Sequence, residues 1–183
     1  MEDSIECAKR EIRLVIARSP VPEDPLHAEN TLEWLLRLKP DPGSPLQLAA
    51  LAHDIDRAVG GTDRGDFDDY DAFKAAHARN SARLLRPILE ACQVPHEIVD
   101  EVCRLVEAHE VGGDPASDLL KDADGISFFD VNLPLYYRRE DRQEAERRAR
   151  WGYSRLSPRA RDIVNGFRYE EEELNRLLRE VIR

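Results

Sequence analysis

Apolar residues recur at intervals of three and four along most of the chain, which is the spacing of one face of an α-helix. The pattern is clearest at residues 5–16, 32–36, 98–106 and 174–181. No segment shows the alternation of apolar and polar residues that a half-buried strand requires. The sequence therefore predicts an all-α domain, a bundle of seven to eight helices joined by short connections.

Short polar residues followed by proline mark the expected helix starts, because the polar side chain caps the helix and proline suits its first position. Four pairs fit this pattern: Asp24-Pro25, Ser44-Pro45, Asp114-Pro115 and Ser157-Pro158. Ser44 is followed three residues later by Gln47, which predicts a capping box. Two glycine pairs, at 60–61 and 112–113, predict helix ends.

The segment 44–59 is apolar on nearly every side, which predicts a central helix surrounded by others. The next segment, 60–71, holds three glycines and five aspartates. We expect it to form a mobile acidic loop over whatever lies beneath.

Length and charge restrict the possible functions. The chain has 183 residues, which favours one domain over 1–183, and its net charge is −10. Duplex nucleic acid and anionic membranes both attract basic proteins, so neither is an expected partner. The three cysteines lack metal-type spacing, and the sequence carries no apolar span and opens with acidic residues, unlike a signal peptide. We expect reduced thiols in a cytoplasmic protein.

Arginines are concentrated near the C-terminus. Residues 138–161 contain nine arginines and four acidic residues, a charge of +5, so the rest of the chain carries −15. One interpretation is a solvated helix face with intrahelical ion pairs. The other, which includes Tyr136, Tyr137 and the Trp151-Gly152-Tyr153 segment, is a lid or a flank that attracts an anionic substrate.

Histidines and aspartates fall on inward faces or at the ends of separate predicted helices. A single buried histidine is usually an ordinary core residue, but a set converging from several helices is how helical bundles assemble metal sites. Imidazole with carboxylate favours a divalent transition metal. The set comprises His27, His53, Asp54, His77, His109 and Asp124. The fifth histidine, His96, is predicted to be exposed and uninvolved.

In this order, with His53-Asp54 on the most apolar helix and an Ala-Asp pair at 123–124, the set resembles the HD-domain superfamily of metal-dependent phosphohydrolases. The resemblance covers about residues 20–130, with helices of 131–183 packed on this core. It implies a metal held by His27, His53, Asp54 and Asp124, with Asp122 as the alternative to Asp124.

Superfamily members with two further histidines resemble its dinuclear branch. That likeness implies that His77 and His109 hold a second ion and that Asp54 bridges the two. The mononuclear nucleotidase type has a catalytic glutamate three residues after its aspartate. This chain has Arg57 there, which departs from that type.

The resemblance implies hydrolysis of a small anionic phosphorylated substrate by metal-activated water. We expect one or two divalent ions (Mn, Fe, Co, Ni or Zn), since metals lower the pKa of bound water. Beside Asp54, candidate catalytic residues are Lys121 and Glu110, and candidate substrate-binding residues are Lys74 and Arg57. The same ligand set resembles HD-type di-iron oxygenases, and a non-catalytic nucleotide-binding regulatory module is a further alternative.

Overall fold

The computed structural model describes residues 3–183, and this part of the chain forms helices and no strands. Eleven α-helices occur among the described residues. They are α1 (Ser4–Ile16), α2 (Asp24–Leu38), α3 (Gly43–Ala52), α4 (Ile55–Ala58), α5 (Tyr70–Ala91), α6 (His96–Ala108), α7 (Pro115–Ser127), α8 (Leu133–Arg139), α9 (Arg142–Arg155), α10 (Pro158–Asn165) and α11 (Glu172–Val181). The all-α prediction is confirmed. The predicted number of helices is too low, because the central segment is broken and the C-terminal third contains several short helices.

Helix α3 lies at the centre of the bundle. Its residues 48–52 are fully buried, and α1, α2, α6 and α7 all pack against it. An apolar surface on every side of a helix requires such neighbours on every side. The central position predicted for this segment is therefore what the structure shows.

The central segment is not one helix, because it turns at His53 and Asp54. Helix α3 ends at Ala52, and the short α4 begins at Ile55. Asp54 has φ −101° and ψ 17°, near the bridge region of backbone space in which many active-site residues are found. The turn lets two consecutive side chains leave the helix at its buried end.

Helices α7 and α8 form one continuous rod through a π-helical turn, Phe128–Asn132. A π turn inserts an extra residue into an α-helix and often marks a functional site. The rod contacts α2, α3 and α9. It therefore runs from the centre of the bundle to the C-terminal helices.

Two of the four predicted helix caps are present. Asp114 caps α7 in a capping box with Ser117, and Ser157 caps α10. The prediction for Ser44 is wrong, since α3 already begins at Gly43 and Pro42 makes no side-chain cap. The prediction for Asp24 is also wrong. Its carboxylate accepts a hydrogen bond from the Ser19 hydroxyl instead of capping α2.

The prediction of three reduced cysteines is wrong for two of them. Cys7 in α1 and Cys92 after α5 form a disulfide, with 5.7 Å between their Cα atoms, and Cys103 is free and buried. The two partners are 85 residues apart, so no local spacing could indicate the pair. Packing of α1 on α5 brings them together.

Residues 59–69 connect α4 to α5 and contain a single 3₁₀ turn, Arg64–Asp66. This agrees with the irregular acidic loop expected there, and its mobility stays a prediction. No helix within 3–183 has both the length and the apolar character needed to cross a bilayer.

Candidate metal centre

The six candidate ligands converge from five places in the bundle. They come from the first turn of α2 (His27), the turn after α3 (His53 and Asp54), the middle of α5 (His77), the residue after α6 (His109) and α7 (Asp124). All four histidine residues are at most 2% exposed. The sequence order thus corresponds to a single cluster in space.

One half of the cluster surrounds the first two histidines. The Nε2 atoms of His27 and His53 are 3.2 Å apart, and they lie 3.1 and 3.5 Å from Asp124 Oδ1. Asp54 Oδ2 faces the same space, 3.9 and 3.8 Å from these nitrogens. Two nitrogens and two carboxylates therefore point to a common position.

The other half surrounds the remaining two histidines. His77 Nε2 is 2.8 Å from Asp54 Oδ1, the second oxygen of the same carboxylate. Ligand atoms of Asp54, His77 and His109 all lie within 4.8 Å of one another. Asp54 thus directs one oxygen to each half of the cluster.

Backbone carbonyls fix the tautomer of two histidines. Ala50 O lies 2.9 Å from His53 Nδ1, and Val106 O lies 2.6 Å from His109 Nδ1. A carbonyl can only accept, so each Nδ1 carries the proton and each neutral ring has its lone pair on Nε2. His109 Nε2 is buried and makes no hydrogen bond among the described residues, which is costly without a ligand.

Side chains fix the other two histidines in the same way. The Ser127 hydroxyl donates to the His27 backbone carbonyl and therefore accepts from His27 Nδ1, at 2.9 Å. Asp56 Oδ2 accepts from His77 Nδ1, also at 2.9 Å. All four rings thus present the Nε2 lone pair to the cluster, as metal-ligating histidines do when a second partner holds the other nitrogen.

The cluster holds more acceptors than donors and so attracts a cation. Burial lowers the pKa of the His53 imidazole, but the carboxylates of Asp54 and Asp124 outweigh it and raise that pKa to about 9. Burial raises the pKa of both carboxyls, yet the surrounding histidines hold both well below the usual value. Four aligned nitrogens and a shared carboxylate fit one or two divalent transition metals.

Asp56, two residues after Asp54, accepts a hydrogen bond from the His77 ring and is absent from the candidates that the sequence indicated. It is 1% exposed and also accepts hydrogen bonds from the Thr62 backbone N–H and the Asn80 amide. A Cβ at Gly61 would lie 1.6 Å from its Oδ1, so the loop backbone passes close by. The available signal was a charged residue within an apolar helix, which requires buried partners.

The last acidic ligand could be Asp122 or Asp124 from the sequence alone. Asp124 faces His27 and His53, as described above. Asp122 accepts from the backbone N–H and the hydroxyl of Ser157. Asp122 therefore stabilises the start of α10 and lies outside the cluster.

A cavity of about 260 Å³ opens beside the cluster and is lined by His27, Asp54 and Asp124. This volume is near the lower end for small-molecule sites, about 300 Å³. Three predicted cations also line it. Arg57 lies 3.0 Å from both Asp54 and Asp24, Lys121 donates to Val111 O and Asp118, and Lys74 pairs with Glu110.

Glu110 does not line the cavity, although it adjoins the cluster. Its carboxylate is 4% exposed, pairs with Lys74 and Arg155, and lies 3.2 Å from His109 Nε2. Burial raises its pKa, but the surrounding cations, above all the ammonium of Lys74, outweigh burial and hold the pKa well below the usual value. One carboxylate oxygen pairs with Lys74 and the other with Arg155, so the geometry favours a role in positioning these two cations.

The arginine-rich segment supplies the far wall of the cavity. Arg139, Arg148 and Arg155 line it together with Tyr136 and Trp151. The solvated interpretation holds for other arginines of α9, such as Arg150, which pairs with Glu146 one turn away. The segment therefore contains both solvated arginines and arginines at the cavity, and periodicity alone could not separate the two groups.

A family model described as a domain of unknown function (DUF4202) matches residues 9–177, a range that includes all six cluster residues. Searches of the curated proteins and of the solved structures gave no match.

Proposed function

The chain belongs to the DUF4202 family, and we propose that it is a metal-dependent hydrolase of phosphoric esters. The observation that carries this proposal is the common orientation of four Nε2 lone pairs around a carboxylate with one oxygen in each half of the cluster. The two halves favour two ions, held by His27, His53 and Asp124 on one side, by His77 and His109 on the other, and shared by Asp54.

A divalent metal bound there would supply water of lowered pKa and positive charge for a phosphoryl group. The protein itself holds the ligand atoms in a fixed arrangement. Each histidine is locked through Nδ1, and Asp54 is fixed by the guanidinium of Arg57. Such locking keeps the donor atoms in place without reorganisation during the reaction.

The charge of the cavity supports an anionic substrate. Six cations line it, against four acids, of which Asp54 and Asp124 belong to the metal cluster. The cations are Arg57, Lys74, Lys121, Arg139, Arg148 and Arg155. Anionic oxygens of a phosphoric ester match lysine and arginine donors, and a low-dielectric pocket strengthens that attraction.

Three of these cations are the candidates for binding the reacting phosphate. Arg57 contacts the Asp54 carboxylate directly, and Lys74 lies in the helix that carries His77. Lys121 is one turn before Asp124 on α7. These positions support phosphate binding at the cluster end of the cavity.

The test is metal content per chain together with turnover of a phosphomonoester and a phosphodiester, using p-nitrophenyl phosphate and bis-p-nitrophenyl phosphate. We expect two ions per chain and hydrolysis of at least one ester. His77→Ala should lose one ion and the activity. His96→Ala is the matched control, because His96 is 80% exposed and pairs only with Asp100 among the described residues.

Other outcomes would overturn the proposal. Bound iron with oxygen consumption and no ester hydrolysis would indicate a di-iron oxygenase. Protein that takes up no metal and hydrolyses neither ester would indicate a non-catalytic binding module.

A further inference from the structure

Arg148, on the far wall of the cavity, is held by two aromatic rings. Its guanidinium carbon lies 4.7 Å from the ring centre of Tyr136 and 5.9 Å from that of Tyr70. All three residues line the cavity. Stacking against ring faces fixes a guanidinium while leaving the N–H groups at its edge free to bind.

The terminal nitrogens of Arg148 have no partner in the part of the chain that the structure describes. Within residues 3–183 its hydrogen bond is from Nε to Glu144 Oε1, at 3.2 Å, and neither Nη atom has a partner. Each Nη carries two N–H donors. Four donors on a fixed cation are thus left at the edge of a cavity that also contains the candidate metal centre.

The counter-charge of Arg148 is shared. Glu144 accepts two hydrogen bonds of 2.7 Å from Arg147 and one of 3.0 Å from the Tyr136 hydroxyl. One carboxylate therefore serves two arginines, which leaves net positive charge at this end of the cavity. Arg147 is about half exposed and does not line the cavity.

In a neighbouring arginine, Arg139, each guanidinium nitrogen has a partner. Both its terminal nitrogens bind the buried Glu23 carboxylate, at 2.9 and 2.7 Å, and Glu140 accepts from its Nε. Arg155 likewise binds Glu110. Among the described residues, Arg148 is therefore the arginine of this wall whose two terminal nitrogens both lack a partner.

We propose that the substrate carries a second anionic group, a phosphate or carboxylate, and that Arg148 binds it while the reacting phosphate lies at the metal cluster. A planar fork of N–H donors pairs with two oxygens of either anion. The assignment of the first phosphate rests on the proposed function. The assignment of Arg148 rests on its unpaired donors and its place in the cavity.

The experiment measures binding, so it does not depend on turnover. Alkylphosphonates of increasing chain length are titrated calorimetrically into metal-loaded protein, each paired with the phosphonocarboxylate and the bisphosphonate of the same length. We expect one chain length at which the second anion lowers the Kd at least about tenfold, because the anion gains charge-assisted hydrogen bonds to Arg148. The better of the two partners identifies the second group.

Arg148→Gln should reduce this advantage to a ratio near one, and Arg148→Lys should retain part of it. Arg147→Gln is the matched control, because it removes the adjacent arginine that shares Glu144, and should keep the full advantage. Thermal unfolding of each variant shows whether it is folded. An advantage that persists in Arg148→Gln, or that no chain length shows, would overturn the inference.

The two proposals fail in different ways. If esters are not hydrolysed but the second anion still tightens binding through Arg148, the proposed function is wrong and the second site stands. If esters are hydrolysed and the second anion gives no advantage, the inference is wrong and the function stands.

Discussion

Asp56 offers the sharpest test of how the metal cluster is held. Its carboxylate accepts from three groups, the His77 ring, the Asn80 amide and the Thr62 backbone. In the Asp56→Asn variant the side chain keeps one acceptor oxygen, so one of these three donors would face an NH₂ group. A buried hydrogen bond to a charged group contributes about 1.5–3 kcal/mol, and an unpaired buried donor costs about 1–3 kcal/mol. We expect Asp56→Asn to lower the free energy of unfolding by about 3 kcal/mol.

The same substitution should weaken metal binding, because the His77 ring loses the charged partner that fixes its tautomer. Losses of about 10- to 100-fold are usual for such partners. Urea unfolding of chelator-treated protein and a manganese titration measure the two effects. Asp100→Asn is the control, an aspartate about half exposed on α6 that pairs with Arg86, and should change stability by less than about 0.5 kcal/mol. If the two variants match in both measurements, Asp56 does not hold His77.

Three further predictions concern other parts of the molecule. His109→Ala should reduce the bound metal from two ions to one, and an unchanged metal content by elemental analysis would contradict the assignment of its Nε2 as a metal ligand. Glu23→Gln should destabilise the protein by about 1 kcal/mol at pH 7, a modest value because Arg139 is 44% exposed. Burial raises the Glu23 pKa, but Arg139 outweighs it and holds the pKa below 4.5, so the contribution is present above pH 4.5 and is lost as the pH falls through the folded-state pKa. Equal destabilisation at pH 7 and at strongly acidic pH would refute this account. Cys7→Ser should cost about 2–4 kcal/mol in non-reducing buffer, with no difference from wild type under dithiothreitol, and three titratable thiols in unreduced wild type would exclude the Cys7–Cys92 bond.

The parts of the fold that could be predicted are those encoded within a few residues. Helix faces follow from apolar spacing, as in α1 and α6, and the caps at Asp114 and Ser157 are local hydrogen bonds. The six cluster residues were identifiable because polar groups on inward faces need partners. The sequence therefore indicated the centre of the molecule better than its edges.

What could not be predicted depends on contacts between distant segments. The Cys7–Cys92 bond requires α1 to lie beside the end of α5. The position of Arg148 at the cavity depends on how α9 packs. The helical period alone would allow either Arg147 or Arg148 to face the cavity, with the other in solvent. Asp24 illustrates the same limit, because Ser19 and Arg57 draw its carboxylate away from the cap that its sequence suggests.

Because α7, the π turn and α8 form one continuous rod, one side of this rod lines the cavity from the metal cluster to the far wall. Asp124 at the cluster and Phe128, Asn132 and Tyr136 along the wall all line the cavity at intervals of four residues. Twelve residues of helix span about 18 Å. Removal of one residue from the π turn would turn everything after it by about 100°. Tyr136 would then leave the cavity while Asp124 kept its place. Single-residue insertions and deletions at 128–132 could thus replace the far wall and change the accepted substrate without disturbing the metal chemistry.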